Sequence, residues 1–180
     1  SGMALSGPLT MTGTLSLTNG VLDAGSYVLN IGPVGAVART SGHVAGSLAL
    51  PVDVGSSITL TFDIGDATTY APIIITFDTV TSAGALTAFT ESGEHPAIGT
   101  SVLDSTHDAN RWLSLVNDSI VFGSADVTLG FATGDLDVGA RPDRFIVGKW
   151  DAGWSLPTVT GTSSTSVTVS GIKSFSTFAA

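Results

Sequence analysis

Apolar and polar residues alternate with a period of two along most of the chain, as they do in strands that bury one face. Stretches with the helical period of about 3.6 are missing from the sequence, and Gly, Pro, Asp and Asn-Gly interrupt the alternation at short intervals. The pattern therefore predicts an all-β protein with turns between short strands. The predicted strands span residues 9–17, 21–31, 36–39, 42–50, 58–63, 73–80, 85–90, 111–116, 125–131, 145–150, 159–160, 166–169 and 175–179.

Two regions differ in the spacing of this pattern. From residue 5 to residue 31 the strands are very short, and glycine turns follow one another within about ten residues, which is typical of solenoid rungs or a tight meander. From about residue 33 the strands are longer and the turns more varied, as in sandwiches with Greek-key connections. We therefore predict a solenoid-like or strand-donating segment over residues 1–32 and an antiparallel, Greek-key or jelly-roll-like β-sandwich over residues 33–180.

The chain of 180 residues carries few charges, and most of them are acidic. The 15 acidic and 6 basic residues give a formal net charge of −9, and only 12% of residues are charged, about half the usual share. So few scattered basic side chains cannot follow a phosphate backbone, which excludes nucleic acid as a partner. No apolar run is long enough for a transmembrane helix, so we expect no membrane insertion. Outward-facing Ser, Thr and Gly are typical of extracellular β proteins, and we expect an extracellular or cell-surface location.

Carboxylates at alternate positions mark one candidate cation site. Asp135 and Asp137 precede a glycine turn, as in oxygen-ligated calcium loops, but the other ligands of an EF-hand are missing. Because the chain has no cysteine, only His, Asp and Glu remain as metal-binding side chains. We expect no cofactor, with calcium at Asp135 and Asp137 as the alternative to a plain acidic turn.

The longest irregular stretch, residues 91–110, holds the densest set of polar side chains. Side chains of these types can bind zinc or calcium, but their spacing matches no metal motif. We interpret the stretch as a solvated loop, although loops of this length are usually functional or mobile. The side chains in question are Glu91, Glu94, His95, His107 and Asp108.

Two of the three tryptophans suggest a sugar-binding surface. Trp150 and Trp154 are separated by Asp-Ala-Gly and could present two rings at the tip of a hairpin. Trp112 alternates with apolar neighbours, and we expect it to pack at the edge of the core. Trp150 and Trp154 are therefore the candidate sugar platform.

The residues that could support covalent chemistry do not form a recognisable site. Lys149 and Lys173 each lie in or beside an apolar strand, where an isopeptide cross-link is possible but a lysine that protects a strand edge is favoured. The G-x-S-x-G motif of serine hydrolases is missing, and among 15 acidic residues some pair always fits a glycosidase. We expect a protein that is not an enzyme.

The N-terminal segment predicts self-association. Rungs this short cannot bury both faces alone, and an open strand edge offers unpaired backbone groups to another molecule. The apolar share of 43%, with so little charge, also suggests that further surface is buried against a neighbour. We expect a head-to-tail filament whose partners are copies of the chain or neighbouring surface domains. The contact residues predicted for it are Leu15, Leu17, Leu29 and Ile31.

Several phrases of the sequence occur in a distinctive order. They are residues 13–29, TSGHVAGSLAL at 40–50, FDIGDATTYAPIIITF at 62–77, NRWLSL at 110–115 and the closing segment 149–179. In this order they resemble the repeat-bearing, exported cell-surface proteins of the Bacteroidetes and related bacteria. The resemblance implies an extracellular β-sandwich preceded by solenoid-like rungs, with no catalytic residues carried over. The expected function is a structural or adhesive surface protein; the alternative is a carbohydrate-binding module of a secreted multidomain protein, with glycans as partners.

Overall fold

The computed structural model describes residues 2–180. Strands make up 57% of the chain, and within that range no helix reaches seven residues. The prediction of an all-β protein is therefore confirmed. The strands are β1 (Met3–Ala4), β2 (Leu9–Met11), β3 (Thr14–Leu17), β4 (Val21–Ile31), β5 (Ala36–Arg39), β6 (His43–Val52), β7 (Gly55–Phe62), β8 (Ile64–Gly65), β9 (Ile73–Ser82), β10 (Gly84–Ser92), β11 (Arg111–Asp118), β12 (Val121–Phe122), β13 (Ala125–Gly130), β14 (Gly148–Trp150), β15 (Trp154–Ser155), β16 (Thr158–Thr162), β17 (Ser166–Ile172) and β18 (Thr177–Ala179).

Helical structure is limited to single 3-10 turns in the loops. These turns are Ile98–Thr100, Thr133–Asp135 and Pro142–Arg144. None of the helical segments seen between residues 2 and 180 has the length and apolar character needed to cross a membrane.

The first strands stack in parallel, one rung on the next. Strands β1 and β2 both pair in parallel with β4, β4 pairs in parallel with β6, and β3 pairs in parallel with β5. Rung one therefore consists of β1, β2 and β3, rung two of β4 and β5, and rung three of β6. Leu9, Leu29 and Leu48 occupy equivalent positions on the three rungs. The solenoid-like stacking expected from the short glycine-bounded strands is confirmed.

Strand β6 connects the parallel rungs to antiparallel strands. One edge of β6 pairs with β4. The opposite edge is parallel to β8 at Val44 and Ala45 and antiparallel to β10 from Leu48 to Val52. The order then continues through β11, β18, β14 and β15, all antiparallel. We call this mixed ten-stranded arrangement the large sheet. Within the large sheet, the antiparallel pairing expected from residue 33 onward is found from β10. Strand β6 pairs in parallel with β4 and β8, and β5 pairs in parallel with β3.

A second, six-stranded sheet is antiparallel throughout, and we call it the small sheet. Its order is β12, β9, β13, β17 and β16, with β7 also paired to β9. Alternate residues of β9, including Ile75 and Phe77, are buried, as a strand with one covered face requires. On the outward face, the hydroxyls of Thr59 and Thr76 lie 3.1 Å apart across two strands, a cross-strand pair of the kind that stabilises sheets.

The buried faces of the two sheets contribute to one hydrophobic cluster. The large sheet supplies Leu86, Leu113 and Phe178, and the small sheet supplies Ile75 and Val127. Alternation places aliphatic and aromatic side chains on one face of each strand, and these side chains form the core.

Candidate metal centre

Two chain segments far apart in sequence run side by side at one end of the large sheet. One segment, residues 108–110, leads into β11; the other, residues 135–137, begins with the last residue of the 3-10 turn Thr133–Asp135. The Asn110 N–H donates to the Asp135 carbonyl at 2.7 Å, and the Asp137 N–H donates to the Asp108 carbonyl at 3.1 Å. The Ala109 N–H also donates to the carbonyl of Ala180 at 2.8 Å, so the C-terminus holds the same segment. These backbone bonds place several acidic side chains next to one another.

Three of these acidic side chains form a compact group that we call the carboxylate triad: Glu94, Asp108 and Asp137. One carboxylate oxygen of each lies within 4.8 Å of the other two. Asp108 is only 5% exposed, and its Oδ1 is buried without a hydrogen bond from any described residue. Both oxygens of Asp137 accept hydrogen bonds, Oδ1 from the Asn110 amide at 2.8 Å and Oδ2 from the Asp108 N–H at 3.3 Å. The triad is therefore a compact group of carboxylate oxygens, and one of them, the buried Oδ1 of Asp108, has no hydrogen-bond donor among residues 2–180.

The triad lacks a positive charge to balance it. None of the ion pairs found between residues 2 and 180 includes a member of the triad. Burial, reinforced by the charges of Glu94, Asp137 and Asp104 and by a hydrogen bond that the protonated Asp108 carboxyl shares with Glu94, raises the pKa of Asp108 to about 7. Burial and the charge of Asp137 likewise raise the pKa of Glu94. Three carboxylates at this spacing repel one another, so at neutral pH the arrangement requires a proton or a cation.

A second group of charged side chains nearby contains both acidic residues and their counter-charge. We call it the arginine cluster: Asp66, Arg111 and Asp135. The guanidinium of Arg111 is almost fully buried and donates to both carboxylate oxygens of Asp135, at 2.7 and 3.0 Å. It also donates to Asp66 at 2.7 Å. Although burial opposes the charged form, the hydrogen bonds to Asp135 and Asp66 raise the pKa of Arg111. The cluster is thus a paired, bidentate ionic contact.

The loop between β10 and β11, residues 93–110, is called the long loop. An aromatic cluster on the large sheet holds its first residues in place. The ring of His95 packs edge-on against Trp112 and Trp154, with centroid distances of 5.4 and 4.9 Å. The His95 Nε2 lies 2.9 Å from the Thr177 hydroxyl, and burial lowers the pKa of the imidazole. His95 therefore serves as a packing residue, and its neighbour Glu94 is held beside the end of β10. The full cluster is Phe89, His95, Trp112, Trp150 and Trp154.

The structure separates the two aspartates that the sequence grouped as a calcium site. Asp137 belongs to the carboxylate triad, whereas Asp135 belongs to the arginine cluster. The partners of Asp137 are instead Glu94 and Asp108, from the stretch interpreted as a solvated loop. Sequence reasoning missed this combination because Asp108 and Asp137 are 29 residues apart and no local spacing connects them.

Trp150 and Trp154 are brought together, as the sugar-platform hypothesis requires, but not as a flat surface. They form a cross-strand pair between β14 and β15, with ring centroids 5.4 Å apart and planes inclined by 57°. The Trp154 indole N–H donates to the Ala97 carbonyl at 3.1 Å, which ties the ring to the long loop. Sugar binding by these rings stays a prediction.

The four residues predicted for self-association lie inside the chain's own core, where none is more than 9% exposed. Their side chains are therefore not available to another molecule, and any self-association has to use other groups. The residues are Leu15, Leu17, Leu29 and Ile31.

The two lysines have separate surroundings. Lys149 donates to the Ser174 hydroxyl at 3.1 Å and lies 3.8 Å from the carboxylate of Asp151. Lys173 donates to the Gly123 carbonyl at 3.0 Å. A cross-link through either lysine stays a prediction.

No protein-family model, no curated protein and no solved structure matches the chain.

Proposed function

We propose that the chain is a non-catalytic structural or adhesive module of the extracellular surface, which associates head to tail through the outer edge of its first rung. The observation that carries this proposal is the exposure of apolar side chains on that rung at positions that are buried on the other rungs. We call this surface, formed by β1 and β2, the first-rung edge.

The exposure of equivalent side chains falls from the first rung inward. Leu9 is 39% exposed, whereas Leu29 and Leu48, its counterparts on rungs two and three, are fully buried. Met3 is 68% exposed, and its neighbour on the next rung, Leu22, is 8% exposed. A further strand on this edge would bury Met3 and Leu9 in the way that the second rung is already buried.

The backbone of the first-rung edge is also open. Strands β1 and β2 each pair with β4 and with no other strand in the described chain. Residues 2–22 contain no charged side chain, although soluble proteins commonly protect an open edge with charges. The edge therefore has the properties of a surface that accepts another strand.

A head-to-tail contact needs a second surface of matching character, and the far ends of both sheets provide one. Strand β15 pairs only with β14, and β16 pairs only with β17, across the residues that the structure covers. Residues 152–172 are uncharged, and Leu156 is 54% exposed. We call this surface the far edge. Because the two edges differ, their pairing joins unlike surfaces and produces a chain of subunits.

The size of the apolar contact predicts weak association. Burying two side chains such as Met3 and Leu9 contributes about 3 to 6 kcal/mol in total. The loss of translational and rotational freedom costs about 4 to 15 kcal/mol, so backbone hydrogen bonds must supply the remainder. We therefore expect assembly that depends strongly on protein concentration.

The remaining parts of the proposal rest on sequence character and on the shared core. The low charge, the Ser, Thr and Gly content and the resemblance to exported bacterial surface proteins favour an extracellular location. We further propose that the small sheet and the part of the large sheet from β6 onward form a β-sandwich over residues 33–180, which is supported by their common hydrophobic cluster.

Sedimentation velocity over a range of concentrations tests the assembly. The unmodified chain should gain mass as concentration rises, while Met3→Lys/Leu9→Lys should stay monomeric with an unchanged circular dichroism spectrum. Val54→Lys is the matched control, because Val54 is 62% exposed and lies outside both edges. A chain that is monomeric at the highest soluble concentration contradicts the proposal.

A mixing experiment tests the direction of assembly. Thr158→Lys/Thr162→Lys should block the far edge and also give a monomer. Mixed with Met3→Lys/Leu9→Lys, it should form dimers and nothing larger, because each variant keeps one usable edge. If the far-edge variant assembles like the unmodified chain, the association is not head to tail.

A further inference from the structure

We propose that Glu94, Asp108 and Asp137 bind a calcium ion. The inference rests on the oxygen-lined geometry of the carboxylate triad together with the buried, unpartnered Oδ1 of Asp108. It is independent of the proposed self-association, whose two edges contain none of these residues.

The burial of Asp108 is the observation that separates this group from an ordinary acidic surface. Exposed carboxylates are hydrated and need no partner, but a buried carboxylate oxygen without a hydrogen bond is strongly unfavourable. Asp108 is 5% exposed, yet its Oδ1 receives no hydrogen bond from the residues described. A cation within reach of all three carboxylates would satisfy that oxygen and balance the charge of the triad.

The donor atoms indicate which cation fits. All three ligands are carboxylates, and calcium prefers six to eight oxygen atoms, with carboxylates binding through one or both oxygens. Zinc favours nitrogen and sulfur ligands. The histidines next to Glu94 and Asp108 are engaged elsewhere: His95 packs in the aromatic cluster, and the Nδ1 of His107 lies 3.1 Å from the Asp104 carboxylate. Magnesium requires a strict octahedron and retains its water, so a small group of protein carboxylates binds it less well.

The location of the ligands gives the ion a structural role. Glu94 stands at the start of the long loop, Asp108 stands at its end, and Asp137 comes from the segment beside it. A bound ion would therefore hold both ends of the loop to residues 135–137. Asp135, which pairs with Arg111, lies in that same segment. Calcium would thus connect the long loop to the arginine cluster.

Calcium binding is measured by isothermal titration of the calcium-free protein with calcium chloride, with thermal unfolding followed in parallel. We expect a single site with a dissociation constant of roughly 10⁻⁴ to 10⁻³ M, the range of extracellular calcium modules. Magnesium chloride should bind at least about tenfold more weakly. The melting temperature should rise with calcium, because the ion binds the folded chain.

Variants that keep the size of each side chain test the assignment. Asp108→Asn and Asp137→Asn should each weaken calcium binding at least about tenfold and remove the calcium-dependent rise in melting temperature. Glu94→Gln should also weaken calcium binding, and because Glu94 is exposed this substitution does not alter core packing. Asp104→Asn is the matched control, since Asp104 lies in the same loop, is exposed and is outside the triad.

Three results would overturn the proposal. One is the absence of calcium binding up to about 10 mM, well above the expected constant. Another is calcium binding that survives all three triad variants. The third is a loss of binding in Asp104→Asn equal to that in Asp108→Asn, which would indicate diffuse attraction to an acidic surface.

Discussion

The arginine cluster and the carboxylate triad lie in neighbouring segments, and they differ in how their buried negative charge is balanced. In the arginine cluster, Arg111 lies between Asp66 and Asp135 and donates hydrogen bonds to both. In the triad, Asp108 is equally buried, and the charged groups that act on it are carboxylates, chiefly those of Glu94 and Asp137. Acidic residues two positions apart, such as Asp135 and Asp137, can therefore belong to groups with opposite electrostatic requirements.

The largest expected effect comes from removing the counter-charge of the arginine cluster. Arg111→Met should lower the free energy of unfolding by about 3 to 5 kcal/mol, because it leaves the buried Asp135 without a counter-charge, although the Ala132 N–H still donates to it. Urea unfolding measures the loss. Arg141→Met is the control: Arg141 forms an exposed pair with Asp143 at 2.9 Å, and removal of such a pair should change stability by less than about 1 kcal/mol. Equal losses in the two variants would contradict the distinction between buried and exposed pairs.

A smaller effect concerns the acid stability that Asp66 provides. Burial alone would raise the pKa of Asp66, but hydrogen bonds from Arg111, Thr68 and Thr69 lower it from 3.8 to about 2. The unfolded chain therefore binds this proton first, so the contribution of Asp66 is complete above about pH 4 and is lost as the pH falls towards 2. The contribution is at most about 2 kcal/mol.

The unfolding free energy of Asp66→Asn, measured by urea between pH 2 and pH 5, isolates that contribution. The variant should be less stable than the unmodified chain at pH 5, and the difference should shrink as the pH falls, since Asn does not titrate. A difference that is constant over the whole range would show that Asp66 makes no charge-dependent contribution.

A still smaller effect of opposite sign is expected in the triad. In a buffer with a calcium chelator at pH 8, Asp108→Asn should raise the free energy of unfolding by about 1 kcal/mol, because a neutral amide removes repulsion with Glu94 and Asp137. Denaturant unfolding of the two proteins side by side gives the difference. Substantial destabilisation by Asp108→Asn without calcium would mean that the carboxylate has a partner within the protein, and the contrast with the arginine cluster would disappear.

The smallest effect is expected for an acidic residue outside both groups. Asp104 is exposed, and the hydroxyl and backbone N–H of Thr106 lower its pKa. Asp104→Asn should leave the free energy of unfolding unchanged within error, since water replaces what the substitution removes. A measurable loss would show that the long loop depends on its surface charges as well as on its buried ones.

Much of the strand pattern was predictable because it follows from local alternation. The predicted strand 21–31 coincides with β4, and the strand predicted to begin at residue 73 begins there as β9. The predicted strand 9–17 divides into β2 and β3, because the chain bends at residues 12–13. Strand β2 then belongs to the large sheet, and β3 pairs with β5 in a separate two-stranded sheet. The alternation identifies which residues favour an extended backbone, but it does not report such bends.

By itself, the sequence determined the all-β class and the short repeating rungs, since a period of two and closely spaced glycines specify those features within a few residues of chain. Only the tertiary structure decided which strands are partners. Strand β6 is buried along most of its length, and it is parallel to β4 and antiparallel to β10. Its own residues therefore do not indicate the direction of either neighbour. The same holds for the acidic groups: Asp108 meets Asp137 across 29 positions through the pairing of two loop segments. Electrostatic partnership depends on distance in space, and that distance is set by packing.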